Sequence, residues 1–246
     1  MVDRDPRYRY PHIQPDVVDP IAIKRNPWYP EEILNKPHEI IAPKEDYDEK
    51  RMILYHDMVS EYDARIFGAY VHSLSIPLSP EFGPADELWQ IDEDNHYKGF
   101  RIINRAIFGL TDQDIEKIYN RQGNFEPLKH LLSDELRICL TVAYDELCTV
   151  RAYRGDLPIY DAMGPSVGKF VRRVIGDEGW HYSKFLRLVK RYHPDEIAKA
   201  LEIVNQIRAA EGLPYQQTFV MDHIEDVFTT KLFDEAENVL KKNLLK

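Results

Sequence analysis

Two short segments of this chain carry the same chemistry at the same spacing. Asp92-Glu93-Asp94-Asn95-His96 and Asp177-Glu178-Gly179-Trp180-His181 each contain Glu-x-x-His. Each motif glutamate follows another glutamate by 32 residues, Glu93 after Glu61 and Glu178 after Glu146. Glu61 and Glu146, Asp92 and Asp177, Glu93 and Glu178, and His96 and His181 are all 85 residues apart. On a helix, residues three apart share a face, so the Glu and His of one motif can grip one metal or adjacent metals. Thirty-two residues suffice for half a long helix, a turn and half a helix back. An antiparallel neighbour then returns its motif to the depth of the first glutamate. Four helices would supply Glu, Glu-x-x-His, Glu and Glu-x-x-His to one level of a core.

Four carboxylates cannot share a dry core at neutral pH without compensation. Their four negative charges balance two divalent cations. Carboxylates can bridge two metals, and one histidine per metal leaves room for water or dioxygen. An oxygen-rich set with two imidazoles suits iron or manganese, or a mixed pair of the two. It does not suit a structural zinc site, which usually closes with four ligands.

The rest of the chain reads as helices. Helical segments are expected at 47–75, 85–108, 112–120, 127–153, 163–192, 194–210 and 219–243. Gly109 stops the second, and Thr111 is a candidate N-cap for the third. Gly155 with Pro158, and Gly212 with Pro214, are expected to break the chain. Valine-rich alternation is absent, so the expected class is all-α. Residues 1–45 differ, because they hold eight of the sixteen prolines. Tyr8, Tyr10, Trp28 and Tyr29 interleave with these prolines, more aromatics than a disordered leader usually carries. An extended arm is expected, packed on the body or on a second subunit of a homodimer. The body would be residues 46–246, with a metal-binding bundle over about 47–192 and extra helices over about 194–243.

Composition removes other classes. With 43% hydrophobic and 30% charged residues, the chain can build a soluble core. A net charge of −10 argues against general nucleic-acid binding. No run of 18 apolar residues suggests a membrane span. The opening MVDRDPRYRYPH is polar and has no leader-like apolar segment, so a cytoplasmic location is expected. Cys139 and Cys148 lie nine residues apart on one expected helix, too far for a bridge, which fits a reducing compartment.

The two Asp-Glu-x-x-His motifs, with Glu61 and Glu146, resemble those of the ferritin-like di-iron carboxylate superfamily. In particular they are similar to soluble fatty-acyl desaturases and bacterial di-iron monooxygenases. The likeness covers about residues 47–192 and is more specific for the metal site than for the reaction. It implies a ferritin-like four-helix bundle with additional C-terminal helices. It implies Glu93 and Glu178 as bridging carboxylates, Glu61 and Glu146 as terminal ligands, and His96 and His181 on one iron each. The implied activity is a di-iron oxygenase or oxidase that uses dioxygen to hydroxylate, desaturate or N-oxidise a small organic substrate. No flavin or nicotinamide fingerprint is present, so electrons would come from an external donor. Iron storage or peroxide detoxification, as in ferritins and rubrerythrins, is the alternative. Against it stand the arm, the residues after the fourth helix, and the lack of paired Cys-x-x-Cys motifs.

Neighbouring residues have two readings. Asp92 and Asp177 are solvated helix acids, or they accept hydrogen bonds from the far nitrogen of a ligand histidine. Asp145 shares that ambiguity. Tyr62 and Tyr144 are packing aromatics, or hydrogen-bonding and radical residues near the metals. Trp89, Phe100, Ile103 and Phe185 are expected in the core. Cys148 reads as a small buried hydrophobe. His56, His72 and His130 have no repeat partner and fall outside the ligand set, and His223 with Glu225 is expected on the last helix.

Overall fold

The computed structural model describes residues 28–212, 215 and 218–246. The described residues are helical, with no β-strand among them. A short α1 (Pro30–Ile33) and a 3-10 turn (Pro37–Glu39) precede two long helices, α2 (Tyr47–Ser73) and α3 (Phe82–Phe108). After α4 (Asp112–Tyr119) and a 3-10 segment (Glu126–Leu131) come α5 (Glu135–Ala162) and α6 (Pro165–Tyr192). A 3-10 turn (Pro194–Glu196), α7 (Ile197–Ala210) and α8 (Thr230–Leu244) complete the order. No helix among the described residues is long and apolar enough to cross a membrane.

Local chemistry sets several of these ends. Gly109 closes α3 in the left-handed region at φ 64°, where a side chain would be strained. Thr111 and Asp114 cap α4 reciprocally, each side chain accepting from the other's backbone N–H. Asp134 caps α5 by accepting from the Arg137 N–H at 2.9 Å.

Helix α2 packs on α3, α5 on α6, and α3 meets α6. Helices α7 and α8 cover another side of α5. This explains why every residue from Ile138 to Cys148 is buried, on all faces of one helix. The apolar core falls into two clusters. Along α3 the change-over runs from Trp89 to Tyr97, and along α6 from Ile175 to Tyr182. On α2 it lies between Tyr62 and Ala64, and on α5 between Cys148 and Val150. The glutamates and histidines of the repeat lie in or beside these change-overs, as a polar layer between two apolar ones.

Two expected helices are corrected. The segment expected at 127–153 is a 3-10 stretch followed by a helix that begins at Glu135 and runs through both Gly155 and Pro158 to Ala162. Pro158 sits in the second-last turn, where one missing N–H costs little continuity. A Cβ on Gly155 would lie 3.1 Å from Val227 Cγ2, so this glycine admits a neighbouring segment rather than ending the helix. The last helix starts at Thr230, not near 219, with Thr229 Oγ1 accepting from the Leu232 N–H. Residues 218–229 are irregular, with Phe219 and Met221 at φ 64° and 67°. Phe219 packs against Phe67 and Trp89, and the Met221 N–H donates to Asp145 Oδ1 at 2.7 Å. These tertiary contacts override the local helix preference, and they move His223 and Glu225 off the last helix.

Of the arm, Tyr8, Tyr10 and five of its prolines lie outside the described residues. The described part packs on the body, with Trp28, Leu34 and Ile40 buried. The Ile41 N–H donates to the Met163 carbonyl at 2.8 Å.

Candidate metal centre

The six residues singled out by the repeat meet in the interior. Glu61 is on α2, Glu93 and His96 on α3, Glu146 on α5, and Glu178 and His181 on α6. Their atoms form two groups that could each hold a cation, Glu61–Glu93–His96–Glu178 and Glu93–Glu146–Glu178–His181. Glu93 and Glu178 belong to both. All six side chains are buried, and both imidazoles are fully enclosed.

Each histidine points one nitrogen into the cluster. His96 Nδ1 lies 3.2 Å from Glu61 Oε2 and 3.1 Å from Glu178 Oε1. His181 Nδ1 lies 2.9 Å from Glu178 Oε2, 3.1 Å from Glu93 Oε1 and 3.6 Å from Glu146 Oε2. One ring nitrogen carries at most one proton, so it cannot serve several carboxylates at once. Glu93 Oε1 and Glu178 Oε1 accordingly have no aligned hydrogen-bond donor, although both are buried. Buried carboxylate oxygens without a donor are the arrangement that a pair of cations satisfies.

The other nitrogen of each ring faces an aspartate from the opposite motif. His96 Nε2 lies 3.4 Å from Asp177 Oδ2, and His181 Nε2 lies 3.3 Å from Asp92 Oδ2. This fixes Nδ1 of both rings as the cation-facing atom. Trp28 Nε1 donates to Asp177 Oδ2 at 2.8 Å, so the arm closes this outer layer. Each remaining glutamate receives an aromatic donor. Trp89 Nε1 donates to Glu146 Oε1 at 2.8 Å, and Tyr153 OH to Glu61 Oε1 at 2.5 Å.

Electrostatics follow from burial. Removal from water pushes the Glu61 and Glu146 carboxyls well above their ordinary range, and the charges of Glu93 and Glu178 add to this. Burial also opposes ionisation of Glu93 and Glu178, but hydrogen bonds and charge from the two imidazoles outweigh it and hold both low. Burial disfavours the charged imidazoles, and the surrounding carboxylates reverse that and raise both well above the usual value. These shifts favour protons on the two histidines and the two outer glutamates. Divalent cations would replace those protons, which couples binding to pH.

Sequence reasoning missed Tyr153 and named Tyr62 and Tyr144 instead. Tyr62 packs against Tyr97 and Tyr119, and Tyr144 lies fully buried in the other apolar cluster. Tyr153 lies seven residues, about two helical turns, after Glu146 on α5, but its partner is the Glu61 of another helix. Only the packing of α5 against α2 reveals that pairing. Asp145 turns away from the cluster, accepting the Met221 N–H and facing His223. Trp89, Phe100, Ile103 and Phe185 are buried as expected. His56 and His72 pair with Glu225 and Asp86, away from the six.

No protein-family model, curated protein or solved structure matches this chain.

Proposed function

We propose that this chain is a di-iron oxygenase or oxidase built on a ferritin-like four-helix bundle. One observation carries the reading: Glu93 and Glu178 are shared by two buried groups, each completed by one further glutamate and one histidine. Two cations sharing two carboxylates is the arrangement that such a layout supports. When bound, a reduced iron pair supplies two electrons to dioxygen, for hydroxylation, desaturation or nitrogen oxidation of a small organic substrate. Manganese, alone or mixed with iron, fits the same donors.

The chain's own residues then have definite tasks. Asp92 and Asp177 hold the protons on the far histidine nitrogens. Tyr153 and Trp89 orient the outer glutamates by hydrogen bonds. The apolar clusters on either side exclude water, which protects reactive species and strengthens local electrostatics. An external donor must supply electrons between cycles, and the arm offers a surface for a second subunit.

Iron oxidation and storage is the second reading, and one feature favours it. A cavity of about 40 Å³, lined by Asp57, Asp156, Asp222, Glu225 and Tyr153 among others, reaches from the 218–229 segment to the phenol that touches Glu61. It has room for water or a small cation, and its carboxylates would attract one.

Mixing anaerobically reduced, iron-loaded protein with oxygen in a stopped-flow spectrometer separates these readings. The oxygenase reading expects an absorption transient whose lifetime shortens with a suitable organic substrate. Oxidation of two irons with no substrate effect, followed by uptake of many more per chain, would favour storage. No oxygen reactivity would leave a structural metal site.

A further inference from the structure

We propose that Cys148, Glu211 and His223 form a second, mononuclear site for a thiophilic divalent cation of the zinc type, separate from the Glu/His cluster. Their candidate donor atoms, one sulfur, one carboxylate oxygen and one imidazole nitrogen, all lie within 4.8 Å of one another. Cys148 is fully buried, and the side chains of Glu211 and His223 are only 2% and 6% exposed. The three come from distant parts of the chain: the middle of α5, the residue after α7, and the irregular 218–229 segment.

Asp145 supports the imidazole from outside these three donors. It precedes Cys148 by three residues on α5, so the two share a helix face. Its Oδ1 lies 3.2 Å from His223 Nε2, which is buried without an aligned hydrogen bond. The other ring nitrogen, Nδ1, lies 3.0 Å from Glu211 Oε1. Sulfur distinguishes this set from the Glu/His cluster, whose donors are oxygen and nitrogen only. One thiolate, one imidazole and one carboxylate suit a zinc ion that keeps one coordination position open.

The surroundings of the ring are acidic. Burial opposes a charged His223, yet the flanking Asp145 and Glu211 raise it to about 10. Binding forms a metal–sulfur bond and releases the thiol proton, and the imidazolium proton leaves as the ring nitrogen becomes a ligand. No electron changes hands. Such an ion would tie the 218–229 segment and the end of α7 to α5, two residues from Glu146.

Cobalt(II) tests this directly. Metal-stripped full-length protein is titrated with Co²⁺ while thiolate-to-cobalt charge-transfer absorption is recorded in the near ultraviolet. The band should appear, disappear when Zn²⁺ is added, and be lost in Cys148→Ser. It should survive in Cys139→Ser and in Glu93→Ala/Glu178→Ala. Absence of the band in the wild type, or its survival in Cys148→Ser, overturns the site. Should Cys148→Ser lose its helical circular dichroism, His223→Gln gives the same reading. Its affinity for the cobalt that produces the band should fall by about tenfold or more, and an unchanged affinity overturns the site. Cobalt uptake without the thiolate band would sink this site and leave the Glu/His reading standing. A thiolate band with no further uptake would do the reverse.

Discussion

Asp92 reaches His181, the histidine of the other Glu-x-x-His motif, with Oδ2 3.3 Å from Nε2. Asp177 does the same for His96 at 3.4 Å. Each motif therefore provides the outer support of the other's histidine, so the halves of the repeat depend on each other. Replacing Asp92 or Asp177 by asparagine should weaken metal binding by about 10–100-fold. Chelator competition measures this, and unchanged affinity in both variants would reduce the aspartates to packing.

Trp28 binds Asp177 through Nε1, and the Arg173 guanidinium lies over its ring at 5.3 Å. Trp28→Phe keeps most of the apolar contact and removes the donor. The loss should be about 1–2 kcal/mol, or a fall in Tm of about 2–8 °C for a chain of this size. Thermal unfolding with no shift would show that the arm's indole is not bonded to the body.

Gly99 makes room on α3 for the Phe170 ring of α6. A Cβ there would stand 2.0 Å from Phe170 Cε2, and Phe170 is itself packed against Trp28 and Phe100. Gly99→Ala should destabilise the protein by about 1–3 kcal/mol through overpacking. Adding Phe170→Leu should recover part of that loss in denaturant titration, whereas simple additivity would place the strain elsewhere.

Asp156 lines the small polar cavity, and burial with the nearby Glu225 raises its carboxyl to about 6. The folded state therefore binds a proton that the unfolded chain, with an aspartate near 3.9, has already released between those pH values. Its contribution to stability is full below about pH 4 and is lost as pH rises through about 6. Asp156→Asn should thus match the wild type in Tm near pH 4 and exceed it near pH 7.5. A gap that is the same at both pH values would contradict this assignment.

The sequence made the Glu/His layer visible because a repeat leaves a constant offset, and helical spacing turns that offset into a shared depth. The long helices were legible from the same periodicity, and Gly109 with Thr111 marked a true boundary. Gly155 and Pro158 misled, because a glycine that makes room for Val227 is indistinguishable in sequence from one that ends a helix. The 218–229 segment was misread as helix, because Phe219, Met221 and His223 are committed to partners on α2, α3, α5 and the end of α7. Tyr153, Trp28 and the Cys148–Glu211–His223 cluster were illegible as partners for the same reason. Their significance lies in contacts between segments distant in the sequence, and no spacing along one chain records them.

The central claim is that the shared glutamates hold a pair of metals, and metal content tests it most directly. Protein loaded with iron or manganese, desalted and analysed for elements, should carry about two of these ions per chain. Glu93→Ala/Glu178→Ala, with its helical circular dichroism intact, should carry none bound tightly. No tight iron or manganese in the wild type, or full occupancy in the double variant, would contradict the account.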